Sequence, residues 1–417
     1  MSDRISSYQM NLGSLNNILR NQARVAQSEQ RVATGIRVQT PADDPVAAAR
    51  ILQLDQDIEL TDQYIRNIKS VTGRLELQEG YLKGSEEVLQ RVRELAVQAG
   101  GGSLSIEDRR AIASEMKVRL EELLQLTNAK DASGDYLFSG YSGQTQPFVE
   151  AAGGGFVYQG DEGQRQIRIS NSARIPASDN GKDIFLDVPV DNPSFITNAS
   201  PRNQGNPPGV ISAGVTVDEE ALQDLFPDDA IITFNNELDG NPPGRNFTVR
   251  RRSDNQVIDS LKNVSFAPGQ AISFAGMQVR ITGEPRPGDN FTVETTSKQG
   301  PLQTIQKMIE GLDVLPDTPE GTQNLANLVA ESLDNLDAGI ENLSIYRAKI
   351  GARINTAEST LDVHEESKLT LQDVRKNLKE VDYAEAVSQL QMETMILEAS
   401  QQAYAKVSSL SLFNFIR

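Results

Sequence analysis

The chain is 417 residues long, enough for two or three domains, yet only 38% of it is apolar, 5% is aromatic and Trp is absent, so much of the length is expected to be thin. Its 58 Asp and Glu against 40 Lys and Arg leave a formal net charge of -18, which argues against nucleic acid or an anionic membrane surface as main partner, because both are held by clustered Lys and Arg. With no Cys and one His, disulfides, thiol chemistry and Cys/His zinc sites are excluded.

Met1 to Tyr8 lack the basic then apolar run of a secretory signal, and no apolar run approaches ~18 residues. No membrane insertion is expected, and the protein is either cytoplasmic or exported without a cleaved signal. From residue 3 to 34, at about 100° per residue, Ile5, Tyr8, Leu12, Leu15, Leu19, Ala26 and Ala33 share one sector of a helix while Ile18, Val25, Val32 and Ile36 lie on the far side. This helix is apolar on two faces. One edge carries Arg20, Arg24 and Arg31, positioned by sign to meet Glu393 and Glu398 of the last helix.

Gly35, Pro41 and Pro45 then interrupt the helix. Asp44 is the expected N-cap of a new helix with Pro45 in its first turn, which explains the acidic Asp43-Asp44 pair more simply than a metal does. Helical spacing runs from Pro45 to about Gln98, through glycines at 73, 80 and 84. After Gly100-Gly101-Gly102, Ser105 and Asp108 form the pattern of a capping box for a helix to about Ala129. Phe156-Val157-Tyr158 and Gln166-Ile167-Arg168-Ile169 read as the two strands of a hairpin about Gly160-Asp161-Glu162-Gly163.

Residues 185–298 hold most of the prolines and several strand-like runs. Here Pro243-Gly244-Arg245-Asn246-Phe247-Thr248-Val249 recurs as Pro287-Gly288-Asp289-Asn290-Phe291-Thr292-Val293, which predicts two related hairpins in a small β domain. Arg250-Arg251-Arg252 is the one basic cluster, with acids near enough in sequence to make it an ordinary strand surface. Helical spacing resumes at about Leu302. From Gln323 to Lys379, Ile350, Ile354, Ala357, Leu361, His364, Leu371 and Leu378 keep the spacing of a packed seam.

The closing stretch, Asp382 to Phe415, is again apolar on two sides. Val387, Leu390, Leu397 and Tyr404 share one face; Ile396, Ala399, Ala403, Val407 and Leu410 share the other. The expected fold is mainly α with an inserted all-β domain, an elongated antiparallel helical bundle with terminal coiled-coil helices. The domains expected are residues 1–40 with 380–417, residues 41–184 with 299–379, and an outer β domain at 185–298. The assembly interface expected is Ile5, Leu12, Leu15, Ile18, Leu19, Val25 and Val32 with Val387, Leu390, Ile396, Leu397, Tyr404, Val407 and Leu410.

Catalysis has little to stand on. His364 has no thiol or second His to work with, and neither a phosphate loop nor a dinucleotide fingerprint is present. We expect no enzyme activity, metal or cofactor.

Three stretches carry a family resemblance: Ala33-Thr34-Gly35 with Pro41-Ala42-Asp43-Asp44-Pro45-Val46-Ala47; Gly134-Asp135-Tyr136-Leu137-Phe138-Ser139-Gly140 with Tyr158-Gln159-Gly160-Asp161; and Asp382-Tyr383-Ala384-Glu385-Ala386 with Ser411-Leu412-Phe413-Asn414-Phe415-Ile416-Arg417. On these the chain resembles the flagellin-like axial proteins of the bacterial flagellum, and Pro41 and Pro45 favour the hook-filament junction members over flagellin. The resemblance implies type III export without a cleaved signal, an extracellular place at the hook-filament junction, and terminal helices paired in an inner coiled-coil layer. It also implies hook-associated protein 1 and flagellin as neighbours, self-association in a ring or helical layer, and an export chaperone on the C-terminal segment. The alternatives are a flagellin, a carbohydrate-binding or carbohydrate-active surface protein using the β domain, and a cytoplasmic coiled-coil scaffold.

Overall fold

The computed structural model describes residues 7–101, 104–151 and 155–415, without the side chains of residues 7–11, 320 and 407–415. The chain divides into two compact units, residues 1–66 with 360–417 and residues 67–359.

The first unit contains α1 (Ser7–Thr34), the opening turns of α2 (Pro45–Ala99), the closing turns of α7 (Pro319–Lys379) and α8 (Tyr383–Phe415). Asp44 caps α2, its carboxylate accepting from the Ala47 amide at 3.0 Å. Lys368 pairs with Asp62 at 2.6 Å and Arg375 with Asp55 at 2.8 Å. His364 stacks on Tyr64 with ring centroids 5.4 Å apart, so the single histidine serves packing between α2 and α7.

In the second unit, α2 buries Ile68, Val71, Leu75, Gln78, Leu82, Ser85, Leu89, Val92 and Ala96, alternate steps of three and four that lay one seam along the helix. Leu336, Leu343, Ile350 and Ala357 of α7 are fully buried at heptad spacing. Gly73 and Gly80 have open space beyond them, so no close approach requires glycine there, and α2 continues through both because its seam stays packed. The capping box of Ser105 and Asp108 starts α3 (Ile106–Thr127). This helix packs against α6 (Pro301–Val314).

Beyond α3, β1 (Phe148–Glu150) pairs with β2 (Phe156–Tyr158), and β3 (Gln166–Arg168) pairs with β4 (Arg174–Pro176). The hairpin expected between β2 and β3 is therefore not formed. Asp161 explains why: its carboxylate accepts from the Tyr141 amide (2.9 Å), the Gly163 amide (2.7 Å) and the Ser142 hydroxyl (2.6 Å), tying the intervening turn to the 139–143 loop.

After α4 (Gly181–Phe185) come β5 (Pro189–Ala199), β6 (Val210–Ile211), β7 (Val215–Thr216), α5 (Glu219–Leu225), β8 (Ala230–Phe234), β9 (Asn246–Arg251), β10 (Val264–Ser265), β11 (Ala271–Phe274), β12 (Met277–Thr282) and β13 (Asn290–Lys298). One antiparallel sheet has the order β10-β9-β8-β13-β5; a second has β11-β12-β6, with β7 also on β12. Phe195, Phe234, Phe247, Phe266, Phe274 and Phe291 fill their common core. The first copy of the repeat enters a hairpin, β8-β9, but the second does not: β13 leaves β12 and pairs with β8 and β5. What recurs is local, since Asn246 and Asn290 each donate through the side-chain amide to the carbonyl two residues earlier, Gly244 and Gly288, at 2.9 Å. The basic cluster is spent on its neighbours: Arg252 pairs with Asp229 and Glu294, Arg251 with Asp228 and Asp254, and Arg250 donates to the Asn255 carbonyl.

Lys307 of α6 is buried against the first sheet. Its Nζ donates to Ser194 Oγ at 2.7 Å and Gln299 Oε1 at 2.9 Å, 4.1 Å from the Phe195 ring centroid. Burial pushes the ammonium down to about 8, although Glu331 and Glu310 pull the other way. The unfolded chain keeps this proton to about pH 10.5 and the folded chain only to about 8, so stability rises with pH across that window. Urea unfolding at about pH 7.5 and about pH 10 is expected to show a gain of at most about 3 kcal/mol from this group. Lys307→Met should abolish that part of the rise, and an unchanged pH slope in the variant would refute the assignment.

The candidate assembly surface of the terminal helices

The two terminal helices pair antiparallel, and their register is fixed by polar rungs. Asn21 Nδ2 donates to Ser400 Oγ at 2.9 Å, and Ser28 Oγ donates to a Glu393 carboxylate oxygen at 2.5 Å. On α1 the less exposed positions are Ser14, Ile18, Asn21, Val25, Ser28 and Val32, with Arg31 beside the last; on α8 they are Ala386, Leu390, Glu393, Leu397, Ser400 and Tyr404, with Thr394 beside Glu393. Both seams, Ser14 to Val32 and Ala386 to Tyr404, step by four and three, the period of a coiled-coil seam, and apolar alternates with polar along α1 and, from Leu390 onward, along α8. Arg31 turns to Asp43 at 3.4 Å, while Glu393 is taken by Ser28 and by Gln389, so of the edge expected to set Arg20, Arg24 and Arg31 against Glu393 and Glu398, Arg31 and Glu393 are engaged elsewhere.

This seam uses the second apolar face of α1. Ile18, Val25 and Val32 lie in it, with Leu390, Leu397 and Tyr404 opposite. The fuller stripe stands outside: Leu12 is 41% exposed, Leu15 43% and Leu19 54%. On α8, Ile396 is 47% exposed and Val387, at the edge, 39%. Met392 and Met395, absent from the expected interface, are more exposed still, at 61% and 70%. Their signal was available in the sequence, three residues apart beside Ile396. Ile5 and the side chains of Val407 and Leu410 lie outside the described residues.

A short clasp holds the base of the pair. Both strands of chain break their helices at one level, between Thr34 and Pro45 and between Lys379 and Tyr383. There the Arg37 amide donates to the Lys379 carbonyl (2.7 Å), the Val381 amide to the Gly35 carbonyl (3.0 Å), and the Arg37 guanidinium to the Leu378 carbonyl (2.8 Å). Gly35 sits at φ +71, and a Cβ there would come within 2.7 Å of the Tyr383 hydroxyl oxygen, so this position admits glycine for two reasons. Asp43 closes the 39–43 turn. Bonds from the Thr40 amide and hydroxyl, then from Arg31 and Gln39, hold its carboxyl down at about 2, so its contribution is present above the ordinary carboxylate range and is lost only as pH falls towards 2.

Among the described residues, no group of three or more His, Cys, Asp or Glu is placed to hold a metal, and no helix is long and apolar enough to cross a membrane. The chemistry available to this surface is burial of apolar area and register by polar pairs.

Comparison with known proteins bears on the same helices. The bacterial flagellin N-terminal helical region matches residues 5–143, and the bacterial flagellin C-terminal helical region matches residues 333–416. Flagellar hook-associated protein 3 of Salmonella typhimurium is 29% identical over 238 residues, 57% of this chain and 68% of that one. A crystal structure of flagellar hook associated protein-3 from Legionella pneumophila aligns with a TM-score of 0.52 at 28% identity, covering 79% of this chain and 98% of that one. Flagellin B of Vibrio anguillarum is 23% identical over 382 residues, 91% of this chain and 89% of that one.

The seam and the outer stripe give opposite expectations for the free chain. Val25→Asp places a carboxylate in the seam and is expected to unpair α1 from α8, read as faster amide exchange in both. Leu15→Asp, on the exposed stripe, should leave that exchange within about twofold of the parent, since exposed substitutions rarely shift stability by more than ~0.5 kcal/mol. Equal effects of the two would show that the pairing is not the one described.

Proposed function

We propose a mechanism of assembly for this chain, which belongs to the flagellin-like axial proteins of the bacterial flagellum and serves as a structural subunit joining hook to filament. The observation that carries the mechanism is the orientation of the terminal helices: the polar-interrupted face is turned inward, and the leucine and methionine faces are left uncovered. A solitary helical hairpin gains most by burying its most apolar stripes. Leaving them outside suits helices whose remaining faces are covered by neighbouring subunits.

Magnitudes support the same reading. Fixing the backbone costs about 1–2 kcal/mol per residue, and one fully buried valine or leucine returns about 1.5–3 kcal/mol. With 28 residues in α1 and 33 in α8, and Val25, still 9% exposed, the only buried seam hydrophobe among the described side chains, the pair gains little from its own seam. The outer stripes supply the rest when neighbours cover them. In this reading, residues 1–40 and 380–417 form the inner coiled-coil layer, the helices of 41–184 and 299–379 the next, and the β domain at 185–298 the outer one.

The neighbours in this proposal are other copies of the chain within the junction layer, hook-associated protein 1 on the hook side and flagellin on the filament side. The subunit is exported to the extracellular flagellum without a cleaved signal, with a chaperone covering the C-terminal segment beforehand. Flagellin itself is the second reading, favoured by the end-to-end likeness to flagellin B.

Hydrogen exchange on the dilute monomer should show measurable protection in residues 7–34 and 383–415, far below that of the buried seam at residues 68–96, rising by orders of magnitude in the assembled junction. Strong protection at both ends in the monomer would contradict ordering on assembly. In cells, Leu15→Asp is expected to yield folded protein that fails to support filament growth. Electron microscopy of the purified chain should show no long filaments, and their formation would favour flagellin.

A further inference from the structure

The groups around Lys307 are not those that ordinarily hold a buried ammonium. A charged side chain taken into a core is normally met by a carboxylate. Here both hydrogen-bond partners of Nζ are neutral, Ser194 Oγ at 2.7 Å and Gln299 Oε1 at 2.9 Å, and the Phe195 ring centroid lies 4.1 Å away. Ser194, Phe195, Gln299, Thr304 and Lys307 are each no more than 3% exposed. Glu331 and Glu310 are the carboxyl groups whose charge reaches the lysine, and burial raises both, so neither anchors it firmly as an ammonium.

The carboxamide of Gln299 is clamped at both ends. Its Oε1 accepts from Lys307 Nζ and from the Ser194 hydroxyl, and its Nε2 donates to Thr304 Oγ1 at 2.9 Å. A closed proton path results: Nζ donates to Ser194 Oγ, and Ser194 Oγ donates to the carbonyl that Nζ also touches. With Nζ 2.9 Å from Oε1 and a C=O bond of about 1.23 Å, the amide carbon Cδ is within about 4 Å of the amine. The last torsion of a glutamine is broad, so a turn of the amide plane opens Cδ to the lysine lone pair.

We propose that Lys307 and Gln299 join in an intramolecular isopeptide bond from Nζ to Cδ, with ammonia as the leaving group. The lone pair of the neutral amine adds to Cδ, one Nζ proton passing to Ser194 Oγ as the Ser194 proton passes to Oε1. The Cδ–Nε2 bond then breaks with its electron pair on Nε2, which takes the proton back from Oε1 and departs as ammonia. An amine and a primary amide become a secondary amide and ammonia, so the step needs no oxidant or co-reactant. Desolvation makes a lysine nucleophilic at moderate pH, and a closed site keeps water from competing for Cδ. The bond ties the end of β13 to α6 through a ring of residues 299–307. The titration described for Lys307 belongs to the chain before the bond forms. The bond is independent of the junction role and would survive its failure.

The experiment is mass spectrometry of the folded full chain, as isolated and after about a week at about pH 9, where the amine is mostly neutral. A loss of about 17 Da is expected in the intact chain and in the 295–310 peptide released by a protease that cuts after Glu294 and Glu310, with trypsin unable to cut after Lys307. Fragmentation should place the bond at Gln299, since Gln303 and Gln306 lie in the same peptide. Lys307→Met should abolish the loss and Ser194→Ala should slow it at least about tenfold, with far-UV dichroism showing both variants folded. The chain held unfolded in urea at the same pH should not form the bond. An unshifted 295–310 peptide from the folded parent would overturn the proposal, as would a bond to Gln303 or Gln306, or equal formation in urea. An unchanged rate in Ser194→Ala would overturn the proton path.

Discussion

The structure of the first unit depends on a seam that is half polar. Asn21 with Ser400 and Ser28 with Glu393 sit between rungs of Ile18, Val25 and Val32 against Leu390, Leu397 and Tyr404. Polar pairs at coiled-coil positions specify register at some cost in stability. A slip by one turn would strand Glu393 against an apolar side chain, so the two helices have one alignment and a shallow well. That combination suits a part whose own stability matters less than the geometry it presents to others.

The clasp below the seam turns the two helix breaks into one structural element. Gly35, Arg37, Lys379 and Val381 exchange backbone bonds much as two short strands do, the Arg37 guanidinium donates to the Leu378 carbonyl, and Val38 packs with Ala47, Ile51 and Leu378 beside them. Neither break is stable alone, because a short non-helical segment leaves amides and carbonyls in need of partners. Each break supplies what the other lacks. Gly35 and Pro45 thus act at a distance: by ending α1 after Thr34 and starting α2 at this level, they set where the returning chain must open as well.

Helix boundaries were legible in the sequence wherever their signals are local. Asp44 with Pro45 and Ser105 with Asp108 state helix starts through side chains that reach their own backbone within three residues. The family likeness was legible at the two ends, where the matched helical regions lie. The inward face of α1 was not, because summed hydrophobicity favours Leu12, Leu15 and Leu19, whereas the seam is marked by Asn21 and Ser28, whose value lies in a partner more than 360 residues away. Strand partners failed for a related reason. A Pro-Gly turn before Phe291 tells the chain where to bend, yet β13 pairs with β8 and β5, strands chosen by the aromatic core around Phe234 and Phe291. Arg250-Arg251-Arg252, by contrast, reads as an ordinary strand surface from its nearby acids, and the sheet adds Asp228, Asp229 and Glu294 to the local Asp254.

The bond from Asn21 to Ser400 spans 379 positions of the chain. Closing a flexible loop grows costlier only slowly with length, about 0.6 kcal/mol for each doubling, but contacts so remote in sequence form late. During synthesis the first helix is therefore made long before its companion exists, and it waits, uncommitted, through most of translation. The order of manufacture itself keeps the interlocking ends apart. A subunit built this way carries a clock in its connectivity: it gains the ability to join its fellows only after its remaining parts have had time to fold.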